Sequence, residues 1–239
     1  VRKYYALSTS GDVADIYIFG DIVSWERSDS DVSSYTLAKE IFELKDVSQI
    51  NVHINSYGGE VAEGLAIYNS LKKHPAKIVT ICEGFACSAA SVVFMAGDER
   101  VMNNASLLMV HNAWMVTAGN ADQLRKDADD LDTINQATIN AYMEHVNISE
   151  EKLKELLNNE TWILPADALE MGFATSIVDA SFVSENKAAA NVRSKLFQMV
   201  RQSISAPSEP TPQPEPEPET TPDPQENKLL KFLNALMKG

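Results

Sequence analysis

The sequence is short of positive charge. Its 239 residues hold 20 Lys and Arg against 34 Asp and Glu, a formal net charge of −14. Proteins that grip nucleic-acid backbones need a basic surface, so this balance argues against a general nucleic-acid binder. Cysteine is scarce: Cys82 and Cys87 are the two in the chain. Their spacing fits neither a zinc site nor a thioredoxin-type pair. Both lie among apolar residues, and two reduced, packed thiols suit a cytoplasmic location. No run reaches the ~18 apolar residues of a membrane span. No apolar stretch follows Arg2 and Lys3 as a secretory signal would require. A Gly-x-x-x-x-Gly-Lys-[Ser/Thr] loop for nucleotide phosphates is missing, and no metal or other cofactor is expected. Proline is thin everywhere except residues 206–226, which hold eight of the ten prolines, six acids and no basic residue.

What is present suffices for one domain. Hydrophobic residues make up 44 %, enough for a sizeable core. The expected organisation is a domain over residues 1–183 and a loosely packed helix over 184–205. A disordered acidic linker follows over 206–226, too polar to bury a core of its own. Residues 227–239 complete the chain as a short amphipathic helix with Leu229, Phe232, Leu233 and Leu236 on one face. Such a helix on a tether usually docks to something.

Within the domain, β-rich alternation marks strands over 14–20 and 49–55, and an apolar β-branched run marks a third over 76–82. Residues 100–102, 106–110 and 174–178 read as further strands. Helical spacing covers 33–44, 60–73, 120–146, 149–157 and 165–171. Strands alternating with helices predict βαβ units with right-handed crossovers, hence an α/β fold on a mainly parallel sheet. The 120–146 helix has a thin apolar stripe (Leu124, Leu131, Ile134, Ile139, Met143), so it is expected either to protrude and pack on another subunit or to lie solvated on the surface.

Sites in such sheets gather at the carboxyl ends of strands. Ser56-Tyr57-Gly58-Gly59 and Ser88 both fall there. Ser88 sits among small residues between a strand and a buried helix. By itself it reads first as a helix N-cap, and only second as a nucleophile whose oxyanion meets backbone donors. A serine nucleophile needs a base. His74, before Pro75, reads as a cation at a helix end; His145 as a surface residue; His53 as structural, opposite Val52 and Ile54. His111 ends the strand Leu107-Leu108-Met109-Val110 and so lies at the same edge as Ser88, but taken alone it reads first as a satisfied strand-end histidine.

Several segments, in order, then resemble one family. Ile54-Asn55-Ser56-Tyr57-Gly58-Gly59 resembles the Ile-Asn-Ser-Pro-Gly-Gly loop of the Clp peptidase (ClpP) family. Residues 80–88 resemble its nucleophile segment, Leu108-Met109-Val110-His111-Asn112 its base segment, and 162–178 its last helix and strand. The resemblance implies a ClpP/crotonase-like spiral of ββα units. It implies Ser88 as nucleophile, His111 as general base, and the N–H groups of Gly59 and Ala89 as the oxyanion hole. Two departures stand out. Tyr57 replaces the family proline, which removes one source of loop rigidity. The position of the family's Asp is Glu160, with Asp167, inside the following helix, as the rival acid.

The Glu160-Thr161-Trp162 pattern and the charged tail are most similar to phage and prophage ClpP-related head maturation proteases. The resemblance therefore implies a serine endopeptidase, assembled as a homo-oligomeric ring in the host cytoplasm, that cleaves capsid or scaffold protein. Two alternatives remain open: a crotonase-fold acyl-CoA enzyme, and a non-enzymatic assembly or scaffold protein on a peptidase-like domain.

Overall fold

The computed structural model describes residues 5–26 and 31–178. The helix expected over 184–205, the linker over 206–226 and the helix over 227–239 lie outside the described residues.

The chain opens with an antiparallel hairpin, β1 (Tyr5–Ser10) and β2 (Val13–Ile18), turning at Gly11 with φ +65. It continues through α1 (Ser34–Glu43), β3 (Gln49–Ser56), α2 (Val61–Lys72), β4 (Lys77–Cys87), α3 (Ala89–Phe94) and β5 (Glu99–Asn103). β2, β3, β4 and β5 are parallel neighbours in that order, as crossovers through helices require. The remaining elements are β6 (Leu107–Val110), α4 (Ala121–Met143), α5 (Glu150–Asn158), β7 (Thr161–Ile163), α6 (Pro165–Glu170) and β8 (Ser176–Val178). The sheet order is β1-β2-β3-β4-β5-β8, with β6 on β4 and β7 on β6.

Alternation in the strands builds the core. Ala14, Ile16 and Ile18 of β2 and Ile50, Val52 and Ile54 of β3 are buried, and the residues between them are only half-buried. They share one cluster with Ile67 and Leu71 of α2 and Val92, Val93 and Phe94 of α3. Each of the Val, Ile, Leu and Phe side chains contributes about 1.5–3 kcal/mol on burial. α2 and α3 approach closely: a Cβ on Gly64 would stand 2.9 Å from the Ala89 Cβ.

Four elements differ from the sequence expectation. β1 and β7 were not read at all, the first because its Ser- and Thr-rich segment lacks an apolar run, the second because it is three residues long. β4 does not stop at Cys82 but runs on to Cys87. Glu83 and Gly84 look like turn residues, yet Gly84 serves a close approach. Asn55 Oδ1 accepts the Phe85 N–H at 3.1 Å, and a Cβ on Gly84 would lie 2.6 Å from that oxygen. The Asn55 side chain thereby bridges the register shift between Ile54 and Ser56.

α4 ends at Met143, not Val146. Asn120 caps it by accepting the Asp122 and Gln123 N–H groups, while the Gln123 side chain accepts the Asn120 N–H, a complete capping box. Its burial is confined to Thr138, Ile139, Ala141 and Tyr142. Leu124, an expected stripe residue, is 43 % exposed. The long helix is thus anchored at its C-terminal end, and most of its length stands exposed.

Candidate active site

The site forms where the sheet forks at β4. Val79–Cys82 pairs with β5, whereas Phe85–Cys87 pairs with β6. The fork sets Cys87 opposite Met109, and the Ser88 N–H donates to the Met109 carbonyl at 2.9 Å. One residue past the end of β4 is Ser88; one residue past the end of β6 is His111. Their side chains meet: His111 Nε2 is 2.7 Å from Ser88 Oγ. For Nε2 to accept the hydroxyl proton, the ring's own proton sits on Nδ1.

β7 supplies the third position. It runs antiparallel to β6 with Val110 opposite Thr161 and Met109 opposite Trp162. Glu160 immediately precedes Thr161 and His111 immediately follows Val110, so the two residues leave the last pair of this ladder side by side. Burial holds the His111 imidazole below its usual 6.5, and the negative charge of Glu160 pulls it part of the way back. Glu160 itself has φ +44, a left-handed conformation uncommon outside glycine. Asp167 lies six residues beyond β7's first residue, in the first turn of α6. Its carboxyl is pushed up by desolvation and by Glu170. Of the two acids, Glu160 is the one whose charge acts on His111.

The backbone at Ser88 is unusual. With φ 55 and ψ −125, Ser88 holds the N-cap position of α3, yet its side chain makes no capping hydrogen bond. The plain cap role is therefore overturned: Oγ is turned to the histidine. Such a conformation costs on the order of 1–3 kcal/mol and persists only where the surroundings enforce it. α3 begins immediately after, so the Ala89 N–H, the first of the helix, has no intrahelical acceptor.

The Gly58-Gly59 loop faces this turn. Gly58 has φ +96, and a Cβ there would stand 2.5 Å from the Cys87 carbonyl oxygen and 2.9 Å from the Ala89 nitrogen. Gly59, at φ +147, would bring a Cβ to 2.0 Å from the Ile22 carbonyl oxygen. Ile22 bridges the loop: its N–H donates to Gly58 O and its carbonyl accepts from Glu60 N–H. In that parallel pairing the Gly59 N–H points away from Ile22. The loop lacks the proline of the family motif but is pinned by other means. Ser56 Oγ donates to Gly20 O at 2.6 Å and accepts the Gly58 N–H at 3.0 Å. Tyr57 packs edge-on against Phe85, which packs edge-on against Trp162.

The other histidines stand elsewhere. His53 is structural as read: stacked on Tyr17, it contacts Glu83 Oε1 at 2.7 Å and Asp15 Oδ1 at 3.4 Å. His74 is not a helix-end cation. Its Nδ1 accepts the Ala76 N–H at 3.1 Å and its Nε2 donates to Leu44 O at 3.0 Å. His145 is not a surface residue either; its Nε2 is buried beside Glu144 and Arg100, and desolvation depresses its pKa. Both thiols are buried, and desolvation pushes Cys82 up to about 11 and Cys87 up to about 12. That keeps them protonated and unreactive, so the thiol beside Ser88 is no rival nucleophile.

A cavity of about 600 Å³ opens over the pair, lined by Ser88, His111, Gly58, Gly59, Tyr57 and Trp114 and carrying the carboxylates of Asp21 and Glu60. Among the described residues no His, Cys, Asp and Glu cluster could hold a metal ion. No helix among them is long and apolar enough to cross a membrane.

Fold and site together define an α/β protein in which a strand-to-helix serine meets a strand-end histidine. The family model for Clp protease matches residues 16–181, and the chain belongs to that family. Among its relatives is the ATP-dependent Clp protease proteolytic subunit of Deinococcus radiodurans, 32 % identical over 133 residues. The match covers 55 % of this chain and 65 % of that protein, just under two thirds of its length.

Ser91 and Tyr142 also belong to the site's surroundings, and sequence reasoning missed them. The one is a small polar residue inside a buried helix, the other sat outside the expected stripe of α4. A hydroxyl three residues after Ser88 in a wholly apolar turn was the available signal.

Proposed function

We propose that this chain is a serine endopeptidase acting through Ser88, His111 and Glu160. The observation that carries the reading is the 2.7 Å contact of His111 Nε2 with Ser88 Oγ on a strained strand-to-helix turn. Ser88 Oγ attacks the peptide carbonyl carbon as His111 takes its proton. The N–H groups of Gly59 and Ala89 hold the oxyanion, each such donor being worth ~3 kcal/mol in the transition state. His111 then protonates the leaving amine as the C–N bond breaks. Water, deprotonated by His111, hydrolyses the acyl ester and restores Ser88. Glu160 orients the imidazole and stabilises its cation. The chemistry calls for no metal or cofactor.

The same reading extends to assembly and substrate. The protein works as a homo-oligomeric ring, for which the exposed length of α4 is a contact surface. Its substrates are phage capsid or scaffold proteins, a reading supported by the Glu160-Thr161-Trp162 pattern and the acidic tail over 206–226. The hydrogen-bonded serine and histidine favour a peptidase over an acyl-CoA enzyme or a scaffold protein, neither of which needs that contact.

A fluorophosphonate probe tests the chemistry. It should label wild-type protein at Ser88, and Ser88→Ala should remain folded and unlabelled. Undiminished labelling of the variant would refute the assignment. Cleavage of co-expressed capsid or scaffold protein, and a ring mass in sedimentation, test the substrate and the assembly.

A further inference from the structure

The Ser88 carbonyl is held as firmly as its side chain. It accepts the Ser91 N–H at 2.9 Å, the Val92 N–H at 3.4 Å and the Ser91 hydroxyl at 2.6 Å. Ser91 Oγ also lies 2.7 Å from Tyr142 Oη. A carbonyl can only accept, so the single Ser91 hydroxyl proton goes to Ser88 O. Tyr142 must then be the donor to Ser91. The order is fixed: Tyr142 O–H to Ser91 Oγ, Ser91 O–H to Ser88 O.

That carbonyl shares a peptide unit with the Ala89 N–H. The unit is planar and trans, so its C=O and N–H point in opposite directions along one rigid plate. Whatever fixes the Ser88 oxygen also fixes the direction of the Ala89 N–H. A hydrogen bond to the carbonyl also polarises the amide, and serial hydrogen bonds strengthen one another by roughly 10–30 % per bond in condensed-phase estimates. Both hydroxyls are buried, Ser91 at 1 % and Tyr142 at 2 % exposure, so water does not compete for either. Burial raises the Tyr142 phenol to about 12, which keeps it protonated and able to donate. Its ring is wedged edge-on against Phe173 at 5.9 Å, so the donor is held in place.

We propose that Tyr142 is a positioning residue for the reaction: through Ser91 and the Ser88 carbonyl it aims and polarises the Ala89 N–H toward the developing oxyanion. A relay of this kind matters only when negative charge appears on the substrate oxygen. It lowers the barrier without tightening ground-state binding. The proposal rests on the serine-peptidase reading above.

Tyr142→Phe removes one oxygen, keeps the ring against Phe173 and leaves the Ala89 donor in place. It should lower kcat by about three- to tenfold, well below the 10²–10³ lost when a donor itself is removed, with KM unchanged. Affinity for a peptide boronate, whose oxygen occupies the oxyanion site, should fall by the same factor. Ser91→Ala should lower kcat at least as much. The double variant should be no worse than Ser91→Ala, because both hydroxyls act along one path. Wild-type kcat in Tyr142→Phe, a rise in KM in place of a fall in kcat, or full additivity of the two changes would each overturn the proposal. The wild-type control separates the two readings. If wild-type protein neither cleaves peptide nor labels at Ser88, the peptidase reading itself has failed. If it does both and Tyr142→Phe matches it, only the relay has failed.

Discussion

The Ser88 N–H donates to the Met109 carbonyl at 2.9 Å, so the residue that turns out of β4 also makes the last hydrogen bond of the β4–β6 fork. That bond joins the two strand ends that carry Ser88 and His111. The backbone held there is a positive-φ one, which a serine adopts at a cost. Position and strain therefore share one origin, the fork.

Removing the strain at Ser88 should stabilise the protein. Ser88→Gly supplies a residue at ease with φ +55, so it should raise stability by about 0.5–2 kcal/mol while abolishing peptide cleavage. Ser88→Ala should abolish cleavage without that gain, since alanine is strained there as well. Thermal melts of the three proteins in parallel check this. A glycine variant no more stable than the alanine variant would show that Ser88 is not strained.

The pH dependence follows from His111. Burial depresses its pKa below 6.5 and Glu160 offsets part of that. kcat/KM should thus rise on an acid limb with an apparent pKa below 6.5, as His111 loses its proton. Glu160→Gln removes the charge that raises the pKa, so the limb should move to lower pH, along with a loss of kcat. Asp167→Asn should leave the limb in place. Stability shares the same linkage. The unfolded chain binds the His111 proton first as pH falls through 6.5, so this contribution is present above 6.5 and lost through the lower folded pKa. Rate profiles from pH 4.5 to 8 distinguish the two acids.

How far the site could be read from sequence depended on how local its causes are. Ser88 and His111 each follow a β-rich run, so both were visible as strand ends. That they touch depends on the fork in β4, which was hidden because Glu83 and Gly84 resemble a turn. Glu160 was visible only through resemblance to the family. Physically it stands just before a three-residue strand, too short for any periodicity to reveal. The imidazole of His74, read as a cation, is instead defined by Leu44 and Ala76, and Leu44 lies 30 residues away in sequence. Tyr142 and Ser91 meet across 51 residues, and neither sits in a pattern that marks chemistry. Alternation and helical spacing report which face is buried; they do not report what a buried hydroxyl finds there.

The two loop glycines make a backbone prediction. Gly59→Ala would place a methyl group 2.0 Å from the Ile22 carbonyl oxygen at φ +147. The loop must move to admit it and carry the Gly59 N–H away from its proposed place at the oxyanion. kcat should fall by about 10²–10³, the cost of one lost donor, whereas Gly11→Ala, in the β1–β2 turn with open space around it, should leave kcat unchanged. Steady-state kinetics on both variants measure the contrast.

The charge of the cavity bears on which peptides it accepts. Asp21 and Glu60 line it, and no Lys or Arg does among the described residues. Glu60 is held in place, its Oε1 accepting the Ser24 N–H at 3.2 Å and hydroxyl at 3.0 Å. Both acids are solvent-exposed, and exposed charge pairs are typically worth about 0.2–1 kcal/mol each. Peptides with Lys or Arg beside the scissile bond should therefore be cleaved several-fold faster, in kcat/KM, than otherwise identical peptides with Glu there. The preference should shrink in Asp21→Asn and Glu60→Gln, nearly vanish in the double variant, and weaken as ionic strength rises. A matched peptide series assayed at low and high salt tests it, and an equal rate for the Lys and Glu peptides at low salt would remove these carboxylates from any part in specificity.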